Sequence, residues 1–386
     1  MKSRARHTLR FSSIRLQNWR NFAKIQVDLQ RRVFLVGPNA SGKSNFLDTF
    51  RFLHDIVSVG GGLEDAVRKR GGISRLRCLA ARNPSDVMIH VVLRGEQSET
   101  AWEYELHLTQ DKRQRPAIKR ERVGRNGADI ILRPDDKDKE DPERLTQTYL
   151  QQVNVNRDFR AVADFFGAVR YLHVVPQLVR EPDRSVGRRN DPYGGDFLEQ
   201  VASTPEKTQL ARLRRIQNAL GVAVPQLKEL DLWRDTRGTP HLRGKYEHWR
   251  PQRAWQSEDQ FSDGTLRLLG LLWVMLEGVG PLLLEEPELS LHPDVVRFIP
   301  QMFARMQRRS GRQVIVSTHS TDLLRDEGIG VDEVLLLIPG SEGTVIWPAS
   351  DFREINELLK GGSSLAEAVI PRTRPKDAQQ LTLFDE

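Results

Sequence analysis

Cysteine is nearly missing from this chain: among 386 residues only Cys78 occurs. A single thiol cannot close an internal disulfide, and no cysteine or histidine stands near it at zinc-ligand spacing, so neither an exported disulfide framework nor a zinc module is expected. A reducing, cytoplasmic setting is the expectation. No apolar run approaches the roughly 20 residues that span a bilayer. The opening segment, MKSRARHTLRFSS, carries charge but lacks the apolar stretch of a secretory signal. No membrane partner is therefore expected. No heptad pattern runs for several repeats, which argues against a long coiled-coil arm. No internal repeat is found.

What the chain has in quantity is charge. Asp, Glu, Lys and Arg make up 29% of it and leave a net charge of +7, while 38% hydrophobic residues suffice for a sizeable core. Basic residues gather at Arg68, Lys69, Arg70, Arg75 and Arg77, and again from Lys112 to Arg125. Such clusters attract phosphate backbones, although their plainer reading is a solvated face. DNA is accordingly a candidate partner through these patches.

From Phe11 to Leu29 apolar and polar residues alternate as in half-buried strands, with a hairpin near Asn18 to Asn21. Val33 to Val36 is a continuous apolar run, as in a strand covered on both faces. It leads through a glycine-rich turn into Phe46, Leu47, Phe50 and Leu53 at helical spacing. Alternation returns at 87–93 and 102–108, suggesting an antiparallel lobe. The segment PDDKDKEDPER, 134–144, reads as an exposed loop and a boundary. A mostly helical region follows, with an amphipathic helix from about Lys207 to Leu220. From Phe261 onward helices alternate with strands at 282–284, 314–317 and 334–338, which predicts a parallel sheet. The expected organisation is an α/β fold: an N-terminal lobe over 1–134, a mostly helical insertion over 135–255, a C-terminal lobe over 256–350 and a tail over 351–386.

Gly37-Pro38-Asn39-Ala40-Ser41-Gly42-Lys43-Ser44 matches G-x-x-x-x-G-K-[ST] between a buried strand and a helix start, followed by Asn45. Curled backbone N–H groups and the helix N-terminus suit a polyphosphate, Lys43 suits its β/γ-phosphates and Ser44 suits magnesium. ATP and Mg2+ are the expected ligands. Pro281-Leu282-Leu283-Leu284-Glu285-Glu286 is an apolar strand ending in two carboxylates, one suited to a magnesium shell and the next to polarising water. Upstream, Phe261-Ser262-Asp263-Gly264-Thr265 opens a helix. Its serine and glycine present a hydroxyl and backbone donors to an anion, or form an ordinary N-cap. Downstream come Glu288 to His292, and then Thr318-His319-Ser320 at a strand end, where a histidine can sense a γ-phosphate.

Together these motifs, in this order, resemble the ABC-type ATPases related to the SMC, RecF and overcoming-lysogenization-defect proteins. The resemblance covers the first ~50 residues and roughly 255 to 325. It implies an ABC-ATPase head with a P-loop core sheet, an antiparallel β-lobe and a helical insertion, in which ATP closes two copies around two nucleotides. It also implies that Ser262 and Gly264, with Thr265, meet the γ-phosphate held by the other copy, that Glu285 serves magnesium, that Glu286 is the base and that His319 is the switch. Asn18-Trp19-Arg20-Asn21-Phe22 is similar to a family segment whose arginine lies near the phosphates, making Arg20 a candidate. Gln177, after the strand-like run from Tyr171, is a candidate Q-loop glutamine and magnesium ligand. Three positions depart from the family's pattern: Ala40 in place of a glycine, Glu285 in place of an aspartate, and Asp263-Gly264-Thr265 in place of the transporters' G-G-Q. The last argues against a transporter subunit.

The function this implies is an ATP-hydrolysing switch acting on DNA or on a separate effector protein, in anti-phage defence or DNA maintenance; a nucleotide-dependent scaffold with little turnover is the alternative. No D-x-D cluster follows His319, so a nuclease is expected on another chain. Gln380, Leu381, Leu383 and Phe384 resemble the pentapeptides with which bacterial proteins bind the DNA sliding clamp. Docking of the same residues on this protein's own surface is the plainer alternative.

Overall fold

A continuous apolar strand, a glycine turn and an amphipathic helix organise the first part of the chain. The computed structural model describes residues 9–81, 85–95, 100–185, 191–247 and 255–374. The tail motif at Gln380, Leu381, Leu383 and Phe384 lies outside the described residues. In chain order the first elements are β1 (Leu9–Trp19), β2 (Phe22–Asp28), β3 (Arg32–Val36), α1 (Lys43–Val57), α2 (Leu63–Arg68) and α3 (Ile73–Leu76). There follow β4 (Val87–Gly95), β5 (Ala101–Gln110), β6 (Pro116–Arg125), β7 (Ala128–Arg133), α4 (Asp136–Glu140), α5 (Arg160–Gly167) and β8 (Arg170–Leu172). Next are α6 (Pro176–Val179), α7 (Phe197–Ser203), α8 (Glu206–Ala223), β9 (Leu227–Arg234), β10 (Pro240–Tyr246), β11 (Trp255–Ser257) and α9 (Asp263–Leu276). The chain continues with β12 (Leu282–Glu285), α10 (Pro293–Val296), α11 (Ile299–Ser310), β13 (Val314–Thr318) and α12 (Thr321–Leu324). It closes with β14 (Val334–Gly340), β15 (Gly343–Pro348), α13 (Arg353–Lys360) and α14 (Leu365–Val369).

These elements form two units. The first comprises Met1–Arg170, Val279–Leu283 and Arg305–Glu386; the second comprises Tyr171–Gly278 and Leu284–Ala304. In the first unit, an antiparallel sheet runs β2-β1-β4-β5-β6-β7. A second sheet has the order β15-β14-β3-β13-β12-β8. Within it β13 and β14 both run parallel to β3, and β15 returns antiparallel to β14. The first-unit ends of β12 and β8 join through Leu282 N to Gln313 O at 2.9 Å and Arg170 N to Pro281 O at 2.9 Å. All four residues from Val33 to Val36 are buried, as expected of a strand covered on both faces. Helix α1 buries Phe46, Leu47, Phe50 and Leu53. Its Phe50 ring lies 4.6 Å from Phe11, which also meets Phe165 at 4.9 Å. Burying each such ring stabilises the fold by about 1.5–3 kcal/mol, so the helix that follows the glycine turn is firmly seated.

The second unit has its own apolar core, in which Ile216 and Leu220 of α8 pack with Leu227 of β9, Leu242 of β10, and Leu269 and Trp273 of α9. The expected amphipathic helix is α8, burying Leu213, Ile216 and Leu220. Beyond α8 the insertion carries a three-stranded antiparallel sheet, β11-β10-β9, which the sequence pattern did not announce. Glu229 and Asp231 lie across from Lys245 and Arg243 and pair with them, so the charge that hid the alternation stabilises the sheet.

The segment 134–144 is also not the plain exposed loop that its composition suggests. Asp135 and Asp138 close a capping box on α4, and Asp138 is fully buried against Arg133, which also pairs with buried Glu121. The buried carboxylate of this run is matched by Arg133 at the end of β7, which pairs with Glu121 of β6 as well. Among the described residues no helix is long and apolar enough to cross a membrane.

Candidate functional site

The phosphate-loop sequence occupies the turn from β3 to α1 in the first unit. Gly42 precedes α1 with φ 96°, and Ala40 has φ 61°, so the loop coils through left-handed backbone twice. Glycine adopts this conformation freely, whereas alanine carries a penalty of about 1 kcal/mol. The Ala40 departure from the family pattern therefore stores a little strain. A Cβ on Gly37 would lie 2.7 Å from Leu337 O, and one on Gly42 would lie 2.1 Å from Asn21 Nδ2, so both positions need glycine. No side chain caps the N-terminus of α1. Lys43 turns its Nζ back onto the loop, donating to Gly37 O at 3.0 Å and Pro38 O at 3.1 Å. Ser41 is wholly buried, and its Oγ has no hydrogen-bond partner among the described residues. Gly42, which has no side chain to cap α1, the Lys43 cation held on loop carbonyls and the orphaned Ser41 hydroxyl in a glycine cradle fit a polyphosphate.

The sheet register brings the expected switch to the same level. Thr318 of β13 stands opposite Val36 of β3, so the turn holding His319 and the phosphate loop leave neighbouring strands side by side. Ser320 caps α12, and its N–H donates to Thr318 Oγ1 at 3.0 Å. Arg20, also left-handed at φ 53°, lies along α1: its Nη2 reaches Asp48 Oδ2 at 3.3 Å and its Nη1 reaches Arg75 O at 3.3 Å.

The motifs of the second unit are held by local caps together with contacts from the segment that begins at Tyr171. Glu285 ends β12 and accepts a hydrogen bond from the Tyr171 hydroxyl, while His173 Nδ1 sits 3.4 Å from its carbonyl. Glu286 follows with φ 43°, an uncommon backbone for glutamate and one that redirects its side chain out of the strand's alternation. Ser262 is the N-cap of α9. Its Oγ accepts from Thr265 N at 3.2 Å and lies 2.9 Å from Thr265 Oγ1, which is the geometry of an N-cap. Gly264 is needed because a Cβ there would lie 2.4 Å from Ser290 O, itself on a left-handed residue. Gln177 is exposed in the short helix α6. Just beyond it, Arg180 donates through Nη2 to Phe261 O and to Asp263 Oδ1, both at 2.6 Å, gripping the residues on either side of Ser262. Burial lowers the Arg267 guanidinium, against the opposing charges of Asp263 and Glu286 nearby. Sequence reasoning missed Tyr171, Arg180 and Arg267, which lie next to quoted motifs and carry no pattern of their own.

Many residues of the basic clusters are paired with carboxylates. Arg68 and Lys69 pair with Asp65, and Arg70 is buried against Asp48 and Asp55. Arg115 pairs with Asp111 and Glu143, Lys119 with Asp86, Arg120 with Glu105, and Arg122 with Glu103 and Asp129. Lys112 and Arg113 stay exposed in the β5–β6 turn.

The fold is that of an ABC-ATPase head. It is shared with an SMC head bound to the C-terminal winged-helix domain of ScpA, at TM-score 0.54 and 12% identity, over 87% of this chain and 96% of that one. It is shared also with an SMC head with an extended coiled coil bound to the C-terminal domain of ScpA derived from Pyrococcus furiosus, at TM-score 0.52 and 11% identity, over 91% and 100%. The chain belongs to the family described as "AAA domain, putative AbiEii toxin, Type IV TA system", which matches residues 32–326. A stretch of 47 residues is 43% identical to Endonuclease GajA of Bacillus cereus (strain VD045), spanning 12% of this chain and only 8% of that protein.

Proposed function

We propose that this protein binds ATP with Mg2+ and hydrolyses it as a switch, two copies closing around two nucleotides to control a separate effector. The phosphate loop carries this reading: left-handed Gly42, a side-chain-free N-terminus of α1 and Lys43 held on the carbonyls of Gly37 and Pro38. On binding, Lys43 exchanges those carbonyls for the β/γ-phosphates, and the loop N–H groups from Pro38 to Asn45 wrap the chain of phosphates, proline excepted. Ser44, Glu285 and Gln177 are the residues that would hold magnesium, which would supply charge neutralisation of the phosphates. Glu286 accepts the proton of the attacking water, and His319 bonds the γ-phosphate. Ser262, Gly264 and Thr265 of one copy complete the site of the other.

An effector fits better than direct DNA engagement, because most residues of the basic runs are already matched by carboxylates. The likeness to part of an endonuclease makes a nucleic-acid-cleaving partner, in anti-phage defence or DNA maintenance, the natural class of effector. Titration with a fluorescent ATP analogue, together with phosphate release, tests the reading. Lys43→Ala is expected to weaken binding by about 100-fold or more, since a charge-assisted phosphate contact and the loop's only mobile cation go together. Wild-type affinity in that variant would overturn the assignment.

A further inference from the structure

Asn21 lies outside the phosphate-loop motif, in the turn between β1 and β2, yet its side chain touches the loop at two places. Its Nδ2 donates to Ser41 O at 3.0 Å, and its Oδ1 accepts from Asn45 Nδ2 at 2.8 Å. The same Nδ2 reaches Thr344 Oγ1 at 2.8 Å, and the Asn21 carbonyl accepts from Thr344 N at 2.8 Å. Thr344 is buried at the start of β15, next to Gly343, whose φ is 115° and whose added Cβ would meet Asn21 O at 2.7 Å. Two glycines thus approach this one asparagine, Gly42 from the loop side and Gly343 from the hairpin side. The amide therefore has both ends engaged, and the group it fixes is the carbonyl immediately before Gly42.

We infer that Asn21 is a positioning residue for the phosphate loop, holding the Ser41–Gly42 peptide so that the N–H groups ahead of α1 converge on a phosphate, with Thr344 of the β14–β15 hairpin as its anchor. The inference rests on the nucleotide-binding reading above and adds a residue to it. Asn21 touches no phosphate; it acts through Ser41, Gly42 and Asn45. The hairpin that carries Thr344 forms an edge of the sheet.

The test compares wild type, Asn21→Ala, Thr344→Val and the double variant, titrated with fluorescent ADP and with adenosine, and melted without nucleotide. Asn21→Ala is expected to weaken ADP binding by about tenfold, from the loss of buried hydrogen bonds worth about that factor. Adenosine binding, which makes no use of the loop, is expected to be unchanged. Thr344→Val is expected to weaken ADP binding a few-fold, and the double variant is expected to be no worse than Asn21→Ala, because the two residues share one bond. Equal ADP affinity in wild type and Asn21→Ala would overturn the inference, as would equal losses for ADP and adenosine. If Asn21→Ala does not fold, Thr344→Val decides: wild-type ADP affinity there overturns the inference. Failure of the wild type to bind ADP at all would instead refute the nucleotide-binding reading itself.

Discussion

In the first unit, the glycine turn of the phosphate loop is braced from outside. Asn21 comes from the β1–β2 turn, Thr344 from a hairpin 323 residues further along the chain, and strand register sets the His319 turn level with the loop. In the second unit, Ser262 bonds Thr265 three residues away, Glu286 is aimed by its own left-handed backbone, and Gly264 makes room for the carbonyl of Ser290. The first arrangement holds a cradle ready before any ligand arrives. The second relies more on caps, turns and backbone conformations set close in sequence, joined by a few longer ties such as Tyr171 to Glu285 and Arg180 to Asp263. Under the proposed function, the first set of residues receives phosphate and the second responds to it.

This contrast can be broken at its weakest joint. Gly264→Ala places a Cβ 2.4 Å from a backbone carbonyl that cannot rotate away, and should cost about 1–3 kcal/mol of overpacking strain. Turnover is expected to fall while binding of ATP by the phosphate loop persists; a drop in nucleotide affinity of the same size would mean that the two units do not divide the work as described. Smaller in effect, Tyr171→Phe removes the hydroxyl that donates to Glu285. The Mg2+ concentration needed for half-maximal ATP binding should rise by about threefold, in line with one lost hydrogen bond, with ATP binding in the absence of Mg2+ unchanged. An unaltered Mg2+ requirement would leave Tyr171 as packing only.

The same contrast explains what the sequence disclosed. Val33 to Ser44 reads as strand, glycine turn and helix because every residue that shapes it is contiguous, and the apolar strand ahead of Glu285 reads for the same reason. Trp102 to Leu108 was legible because its alternation is clean and one face is buried. Strands β9 and β10 were not, since Glu229, Asp231, Arg243 and Lys245 only make sense once they stand opposite one another. The charged run around Asp138 misled because Arg133, which pairs with Asp138 and also with Glu121, comes from the sheet before it. Asn21 and Thr344 are ordinary polar residues until the fold closes over them. Periodicity reports which face is buried; it is silent about which polar groups meet across the chain.

The most direct test of the central claim is single-turnover hydrolysis by Glu286→Gln, with ATP binding and molecular mass measured on the same sample. The amide fills the space of the carboxylate but cannot take a proton. ATP should bind with wild-type affinity, hydrolysis should slow by about 10²–10⁴-fold, and the protein should run as a dimer in ATP and Mg2+ and as a monomer without them. Hydrolysis at the wild-type rate, with no change of mass on adding ATP, would contradict the account.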